Sequence, residues 1–441
     1  MPLLCAESSP VHKLLVHNLP TRELISDFAC RYPAQILETL LRDRTTGCNI
    51  IWADDEYEAL GAGYARDDEI TLAKITGTSA GVIEPRIAKE LERQSWRTKN
   101  HAEVFTPSWL CNQMNNDIDE VWFGRRDVFN REGKQGWTLN PEPVVFPRRK
   151  GRDWHAYVES PRLEIACGEA PFVCSRYDAV TGRAIPVGER IGFLDRKLRV
   201  ISEKTRSRKE WVKQALTALA ASYGFEYQGD NLLIARINVF ETFCEYFFDR
   251  WGQIPGEVEL DRAAQIVSWN FWQMDGLTGT VPTGELAAAA RFVPRYLKAE
   301  AEFAQSALFD LFDSDFAGGL GDRFADGTVG ESASGTKGTS ASVGGTTGEL
   351  KMNAPKRAPF CVLCDWNSDR TFTFVSLRNS FTSEANSMEK KFYAVIGNPP
   401  YQEQQEGENR QYAPPIYHHF MDEAYRVGGG SRTNYSRAIP V

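Results

Sequence analysis

Residues 391–401 read KFYAVIGNPPY, and this stretch decides the fold of the chain. The apolar run 392–396 predicts a buried strand, and the tetrapeptide NPPY at 398–401 follows it almost at once. Open α/β sheets place their binding loops at the carboxyl ends of parallel strands. We therefore interpret the tetrapeptide as a functional loop, although Asn-Pro also begins many ordinary polar turns.

The four residues of this tetrapeptide suit the exocyclic amino group of a nucleobase, whose lone pair is delocalised into the ring. The side-chain carbonyl of Asn398 and the backbone carbonyl of Pro399 can accept hydrogen bonds from both N–H groups. The fixed φ angles of Pro399 and Pro400 keep these carbonyls in place. Tyr401 offers a flat face on which a flipped-out base can stack. All four are therefore candidate catalytic residues.

Strands and helices alternate along the chain from residue 161, and this alternation indicates an α/β fold with a mostly parallel sheet. The predicted strands and helices lie at 163–166, 207–222, 224–227, 232–248 and 266–274. Ahead of them, a helix after Pro33 and a strand at 49–52 predict an N-terminal α/β extension. Residues 314–356 are rich in Gly, Ser and Thr with few large apolar side chains, so we expect a disordered insertion there.

Charge and hydropathy say less about function than these motifs do. Hydrophobic residues make up 42% of the chain, no apolar run could cross a bilayer, and the first residues lack a signal-peptide pattern, so we expect a cytoplasmic protein. The net charge of −8 argues mildly against nucleic acid as a partner. Residues 195–213 go the other way, because eight Lys or Arg stand there against three acids. That stretch could follow a phosphate backbone or form a solvated helical face.

The nine cysteines do not indicate a disulfide framework or a metal site. Their odd number and scattered positions argue against a set of disulfides. Cys361 and Cys364 form a single C-x-x-C, with no second pair or nearby histidine to complete a zinc site. We interpret both as small apolar residues of a strand and predict no metal.

The tetrapeptide after an apolar strand resembles the signature of DNA methyltransferases that modify amino groups. The order of motifs resembles their gamma group, closest to the adenine-specific enzymes of restriction–modification systems, some of which are fused to an endonuclease. The resemblance covers residues 97–285 and 357–427. It implies a Rossmann-like methyltransferase core that transfers a methyl group from S-adenosylmethionine to N6 of adenine. The implied partner is double-stranded DNA with a flipped-out target base.

The resemblance also implies a set of cofactor-binding residues. The sequence FTP at 105–107 resembles the motif that packs against the methionine part of the cofactor, and EIACGEAPF at 164–172 resembles the cofactor loop, although Ile165 replaces a proline and Ala170 a glycine. Glu226 matches the acid that accepts both ribose hydroxyls, and Asp275 the acid that accepts from the adenine amino group. The implied set is Phe105, Thr106, Pro107, Glu164, Ala166, Cys167, Gly168, Glu226 and Asp275.

The same resemblance divides the chain and leaves alternatives open. The predicted parts are an extension of unknown role (1–96), the cofactor-binding core (97–313), the insertion (314–356), the catalytic part of the core (357–427) and a disordered tail (428–441). Relatives in this family continue into a domain that reads the DNA sequence. We therefore also consider an incomplete enzyme that needs a C-terminal specificity polypeptide. Methyl transfer to cytosine N4, to RNA or to protein glutamine is the other alternative.

Overall fold

A computed structural model describes residues 20–101, 106–283, 358–366, 370–379 and 392–399. In chain order, its strands are β1 (Asn130–Gly133), β2 (Gly136–Leu139), β3 (Arg162–Ile165), β4 (Ser222–Glu226), β5 (Phe271–Gln273), β6 (Val362–Asp365), β7 (Arg370–Thr373) and β8 (Ala394–Gly397). Its helices are α1 (Leu24–Arg31), α2 (Ala34–Leu41), α3 (Leu72–Ile75), α4 (Leu91–His101), α5 (Ser108–Phe123), α6 (Trp154–Glu159), α7 (Phe193–Lys204), α8 (Arg208–Ala220), α9 (Gly229–Trp251), α10 (Glu257–Asn270) and α11 (Phe374–Asn379).

A four-stranded parallel sheet with the strand order β5-β4-β3-β8 lies at the centre of the described structure. Leu163 of β3 pairs with Tyr223 of β4 on one side and with Val395 of β8 on the other. Every residue of β3 and β4 is buried. This is typical of a parallel sheet with both faces covered. The predicted α/β class is confirmed, and the arrangement is compatible with a Rossmann-like core.

Helices connect consecutive strands of this sheet, as the alternating sequence pattern predicts. The chain passes from β3 to β4 through α7 and α8, and from β4 to β5 through α9 and α10. Helix α9 is buried around nearly its whole circumference, from Gly229 to Phe247, because it packs against both the sheet and the other helices. The next residue, Gly252, has a φ of 63°, the left-handed conformation in which many helices terminate. The predicted helices at 207–222 and 232–248 are confirmed.

The predicted strand at 266–274 is wrong over its first half. Residues up to Asn270 belong to α10, and only Phe271–Gln273 form β5. The apolar residues Ile266 and Val267 continue the buried face of the helix that Leu260 and Ala263 begin, at helical spacing. A continuous apolar run cannot by itself distinguish a buried helix end from a buried strand, and here the helix extends directly into the strand.

The N-terminal segment (residues 20–101) packs on the central sheet and its helices. The helix predicted after Pro33 is confirmed as α2, with Ile36, Leu37 and Leu40 buried. The strand predicted at 49–52 is not formed, and Asn49 and Ile51 make only isolated antiparallel bridges, to Arg42 and Glu69. The backbone N–H of Ile50 donates instead to the carbonyl of Leu41 in α2 at 2.8 Å.

The basic stretch 195–213 is not a wholly solvated face. Arg196 and Lys197 are buried in α7. Arg196 forms an ion pair of 2.6 Å with Asp119, and Lys197 donates to the backbone carbonyls of Ser160 and Ala221 at 2.7 and 3.0 Å. Burial lowers the pKa of Lys197 well below its usual value. Part of this stretch therefore supports the core.

The residues after the predicted insertion form an antiparallel pair of strands. Strands β6 and β7 pair antiparallel, and Cys361 and Cys364 are buried there, as expected of small apolar residues. The thiol of Cys361 donates to the backbone carbonyl of Gln273 at 3.3 Å, which fixes this pair of strands beside the end of β5. The predicted insertion (314–356) and tail (428–441) lie outside the described residues. Within the described ranges, no helix is long and apolar enough to span a membrane.

Candidate active site

The order in which strands are added to the sheet changes direction at β3. From β3 the chain moves to β4 and β5 on one side, and β8 then pairs with the other side of β3. The loops after β3 and β8 therefore begin at neighbouring strand ends and lead away from each other. In open α/β sheets, ligands bind in the crevice at such a switch point. Both predicted motifs, the glycine loop at 164–172 and the tetrapeptide at 398–401, begin here.

Gly397, the residue before Asn398, lies in close contact with β3. Gly397 pairs with Ile165, and a Cβ atom on Gly397 would stand 2.4 Å from the backbone oxygen of Ile165. Only glycine allows this approach. Asn398 and Pro399 follow directly and are half-buried. Pro400 and Tyr401 lie outside the described residues, as does Phe105.

The loop after β3 keeps a tight left-handed course. Ala166, Gly168 and Ala170 have φ angles of 48°, 52° and 65°. Residues other than glycine rarely adopt this left-handed region. Ala170 therefore has a left-handed backbone conformation, which glycine adopts more readily than alanine. The Cys167 N–H donates to the carbonyl of Phe225 at 2.9 Å and fixes the loop to β4.

Glu164 lies beneath this loop. Its carboxylate is buried and accepts from the backbone N–H of Val173 at 3.0 Å. Burial raises the pKa of Glu164 well above its ordinary value. This hydrogen bond shows that Glu164 stabilises the turn. Its role toward a cofactor stays a prediction.

Glu226 joins the ends of β3 and β4. One carboxylate oxygen accepts from the backbone N–H of Gly168 at 2.7 Å. The other accepts from the N–H groups of Tyr227 and Gln228 at 3.0 and 3.2 Å. The last residue of β4 is thus an acid in contact with the glycine loop, as the resemblance implies. Its binding to a ribose is not tested by these contacts.

Asp275 caps a turn just beyond β5. Its carboxylate accepts from the N–H groups of Leu277 and Thr278 at 2.9 and 3.4 Å. The preceding residue, Met274, donates its N–H to the carbonyl of Glu226 at 2.9 Å, so this turn lies beside the end of β4. These contacts are those of a turn aspartate. Asp275 as an adenine acceptor stays a prediction.

Thr106 and Pro107 lie at the start of α5, on the other side of the glycine loop. Thr106 is buried, and the N–H of Ser108 donates to the Asp178 carboxylate at 2.8 Å. Burial works to raise the pKa of Asp178, but the hydrogen bonds from Ser108 and Thr181 outweigh it and the pKa lies below its usual value.

Helix α5 is anchored to the glycine loop by a buried contact, in which the Asn115 side-chain amide donates to the carbonyl of Phe172 at 3.1 Å. Asp178 and Asn115 were not predicted from the sequence, because neither belongs to a motif and both act through contacts with residues distant in the chain.

The comparisons with known proteins address the β8 end of this site. A family model described as Eco57I restriction-modification methylase matches residues 357–431. The match supports a restriction–modification methylase. The matched residues include β8 and the whole tetrapeptide 398–401. No curated protein and no solved structure matches the chain.

Proposed function

We propose that this chain transfers the methyl group of S-adenosylmethionine to N6 of adenine in double-stranded DNA, as the methylase of a restriction–modification system. The main support is the position of Asn398 immediately after Gly397, whose backbone lies against the end of β3. The loop of Gly168 begins at the same strand end, and the match to a methylase family includes the Asn398 loop.

The residues at the ends of β3 and β4 fit such a cofactor. Left-handed backbone at Ala166, Gly168 and Ala170 makes a compact turn over the strand end, which lets a ligand approach the main chain closely. Glu226 adds an acid at the neighbouring strand end, suited to accept the two hydroxyls of a ribose. When bound, S-adenosylmethionine supplies a methyl group that its sulfonium has already activated.

Asn398 and Pro399 act on the acceptor base. Their carbonyl groups accept the two N–H bonds of the exocyclic amine, which draws the nitrogen lone pair out of the ring. Gly397 sets the distance of this loop from β3, the strand from which the cofactor loop also begins, and so would hold the amine near the cofactor. In this proposal, Pro400 stiffens the loop and Tyr401 stacks on the flipped base, as the resemblance implies.

The test is transfer of a radiolabelled methyl group to mixed-sequence DNA, followed by digestion to nucleosides and identification of the labelled product. The proposal expects label in N6-methyladenine. Label in N4-methylcytosine would correct the base, and label only in added RNA or protein would replace DNA as the substrate. A folded chain that binds cofactor but labels nothing would favour an incomplete enzyme that needs a specificity polypeptide.

A further inference from the structure

The N-terminal segment (residues 20–101) contacts the carboxyl ends of three parallel strands, where the proposed cofactor site lies. The first contact is with the loop after β3. The backbone N–H of Arg86 donates to the Glu169 carboxylate at 2.6 Å, and the Tyr177 hydroxyl donates to the same carboxylate at 2.7 Å. Asn238 of α9 donates to the Glu169 carbonyl at 3.1 Å. The residue after Gly168 is therefore fixed partly by the N-terminal segment.

The second contact is with the loop after β4. Gly229 donates its N–H to the Trp52 carbonyl at 3.1 Å, and a Cβ atom on Gly229 would stand 1.9 Å from the oxygen of Ile51. The two backbones can approach this closely only because residue 229 is glycine. The buried Arg97 guanidinium donates to Gln228 at 2.8 Å, two residues beyond Glu226.

The third contact is with the end of β5. The Gln273 amide accepts from the N–H of Ile51 at 2.9 Å and donates to the Ile51 carbonyl at 2.9 Å. The same amide nitrogen donates to the Tyr227 carbonyl at 2.9 Å. A side chain of the sheet thus pairs with the N-terminal segment in the way that a neighbouring strand would, and joins it to the residue after Glu226.

Arg66 extends from the N-terminal segment to the side chain of Tyr227. Its guanidinium donates to the Tyr227 hydroxyl, and its central carbon lies 5.8 Å from the centre of the ring. Both side chains are half-buried, whereas the anchors described above are mostly buried. Tyr227 directly follows Glu226, and its backbone N–H donates at 3.0 Å to the carboxylate proposed to hold the ribose.

We infer that the N-terminal segment positions the cofactor loops, and that Arg66 is a positioning residue that acts on the cofactor's nucleoside end through Tyr227. The inference rests on the proposed function. The three backbone anchors hold the segment in register with the loops, and Arg66 restricts the side chain of Tyr227, whose backbone N–H binds the Glu226 carboxylate. If the segment only added stability, the half-buried contact between Arg66 and Tyr227 could be removed without effect on ligand affinity.

The test measures binding of S-adenosylhomocysteine to the whole chain by calorimetry, for wild type, Arg66→Ala, Tyr227→Phe and the double variant. Tyr227→Phe keeps the ring and removes only the hydroxyl that Arg66 contacts. Tyr227→Phe loses the hydrogen bond alone, whereas Arg66→Ala also loses the contact with the ring and a 3.9 Å ion pair with Asp55. We expect Tyr227→Phe to bind about fivefold to tenfold more weakly, and Arg66→Ala at least as weakly. The double variant should bind about as weakly as Arg66→Ala, since the hydrogen bond that Tyr227→Phe removes is already absent there.

Arg42→Ala is the matched control. Arg42 is an exposed arginine of the same segment whose guanidinium donates to the nearby Gly47 carbonyl at 2.9 Å, and its loss should leave affinity within about twofold. Thermal melting of each variant without ligand separates lost affinity from lost folding. Losses that add in the double variant, or an Arg66→Ala affinity equal to that of Arg42→Ala, would overturn the inference alone. A folded wild type that binds no S-adenosylhomocysteine would overturn the proposed function and the inference together.

Discussion

The Glu226 carboxylate accepts a hydrogen bond of 2.7 Å from the backbone N–H of Gly168, which joins the end of β4 to the turn after β3. Since Tyr227 and Gln228 donate to the same carboxylate, one side chain sets the shape of two neighbouring loops. A carboxylate that accepts several backbone N–H groups binds them more strongly than a neutral acceptor would. The geometry of the proposed cofactor site therefore depends on this acid.

We expect Glu226→Gln to weaken S-adenosylhomocysteine binding by at least about tenfold, because an amide has one carbonyl oxygen and no charge with which to hold these donors. Unfolding in urea should show a loss of about 1–2 kcal/mol. Glu257→Gln, at an exposed position in the first turn of α10, is the control and should change neither quantity. Equal affinities for the two variants would remove Glu226 from the site.

Gly397→Ala should lower both the free energy of unfolding and methyl transfer. The added Cβ atom would lie 2.4 Å from the Ile165 oxygen, so β8 must shift away from β3 at a cost of about 1–3 kcal/mol. Gly188→Ala is the matched control, because a Cβ atom there meets nothing within 4 Å. Urea unfolding of both variants measures the difference. Similar stabilities would mean that the contact between the two strand ends is looser than described.

Ala166→Gly should raise the free energy of unfolding, by up to about 1 kcal/mol. The φ of 48° at Ala166 strains a residue with a side chain, and removal of that strain outweighs the greater freedom of glycine in the unfolded chain. Ala29→Gly, in the middle of α1, should instead lower stability by about 1 kcal/mol. A lower free energy of unfolding in both variants would contradict the left-handed conformation at Ala166.

Glu245 should make stability depend on pH in the acid range. Burial acts to raise its pKa, but Arg176 and Arg190, with ion-pair distances of 2.6 Å each, lower it to about 2. The folded pKa lies below the unfolded one, so the stabilisation is present above about pH 4.5 and is lost as the pH falls toward 2. Its full size is on the order of 3 kcal/mol.

Urea unfolding of wild type and Glu245→Gln between pH 2.5 and 6, roughly the window that follows from the two pKa values, measures this dependence. The stability difference between the two proteins should shrink as the pH falls. A constant difference across that range would contradict the low pKa of Glu245.

Local sequence was enough to predict the sheet and the start of each candidate loop. Apolar runs that end in Glu226 and Asn398 mark strand ends, and both residues lie at the carboxyl edge of the parallel sheet. Residues 266–270 were misassigned because an apolar helix face and a buried strand look alike over a few residues. The pairing of Ile51 with Gln273 spans 222 positions. Such a contact depends on tertiary packing, for which a single sequence carries no local signal.

The most direct test of the proposed catalytic role compares Asn398→Ala with wild type in two measurements, the rate of methyl transfer to DNA and the affinity for S-adenosylhomocysteine. Removal of one hydrogen-bond acceptor for the amine should lower the rate by about a hundredfold or more. Affinity should stay within about twofold, because Asn398 is proposed to contact the base and not the cofactor. A variant that keeps its methylation rate, or that loses rate and affinity in equal measure, would contradict the account.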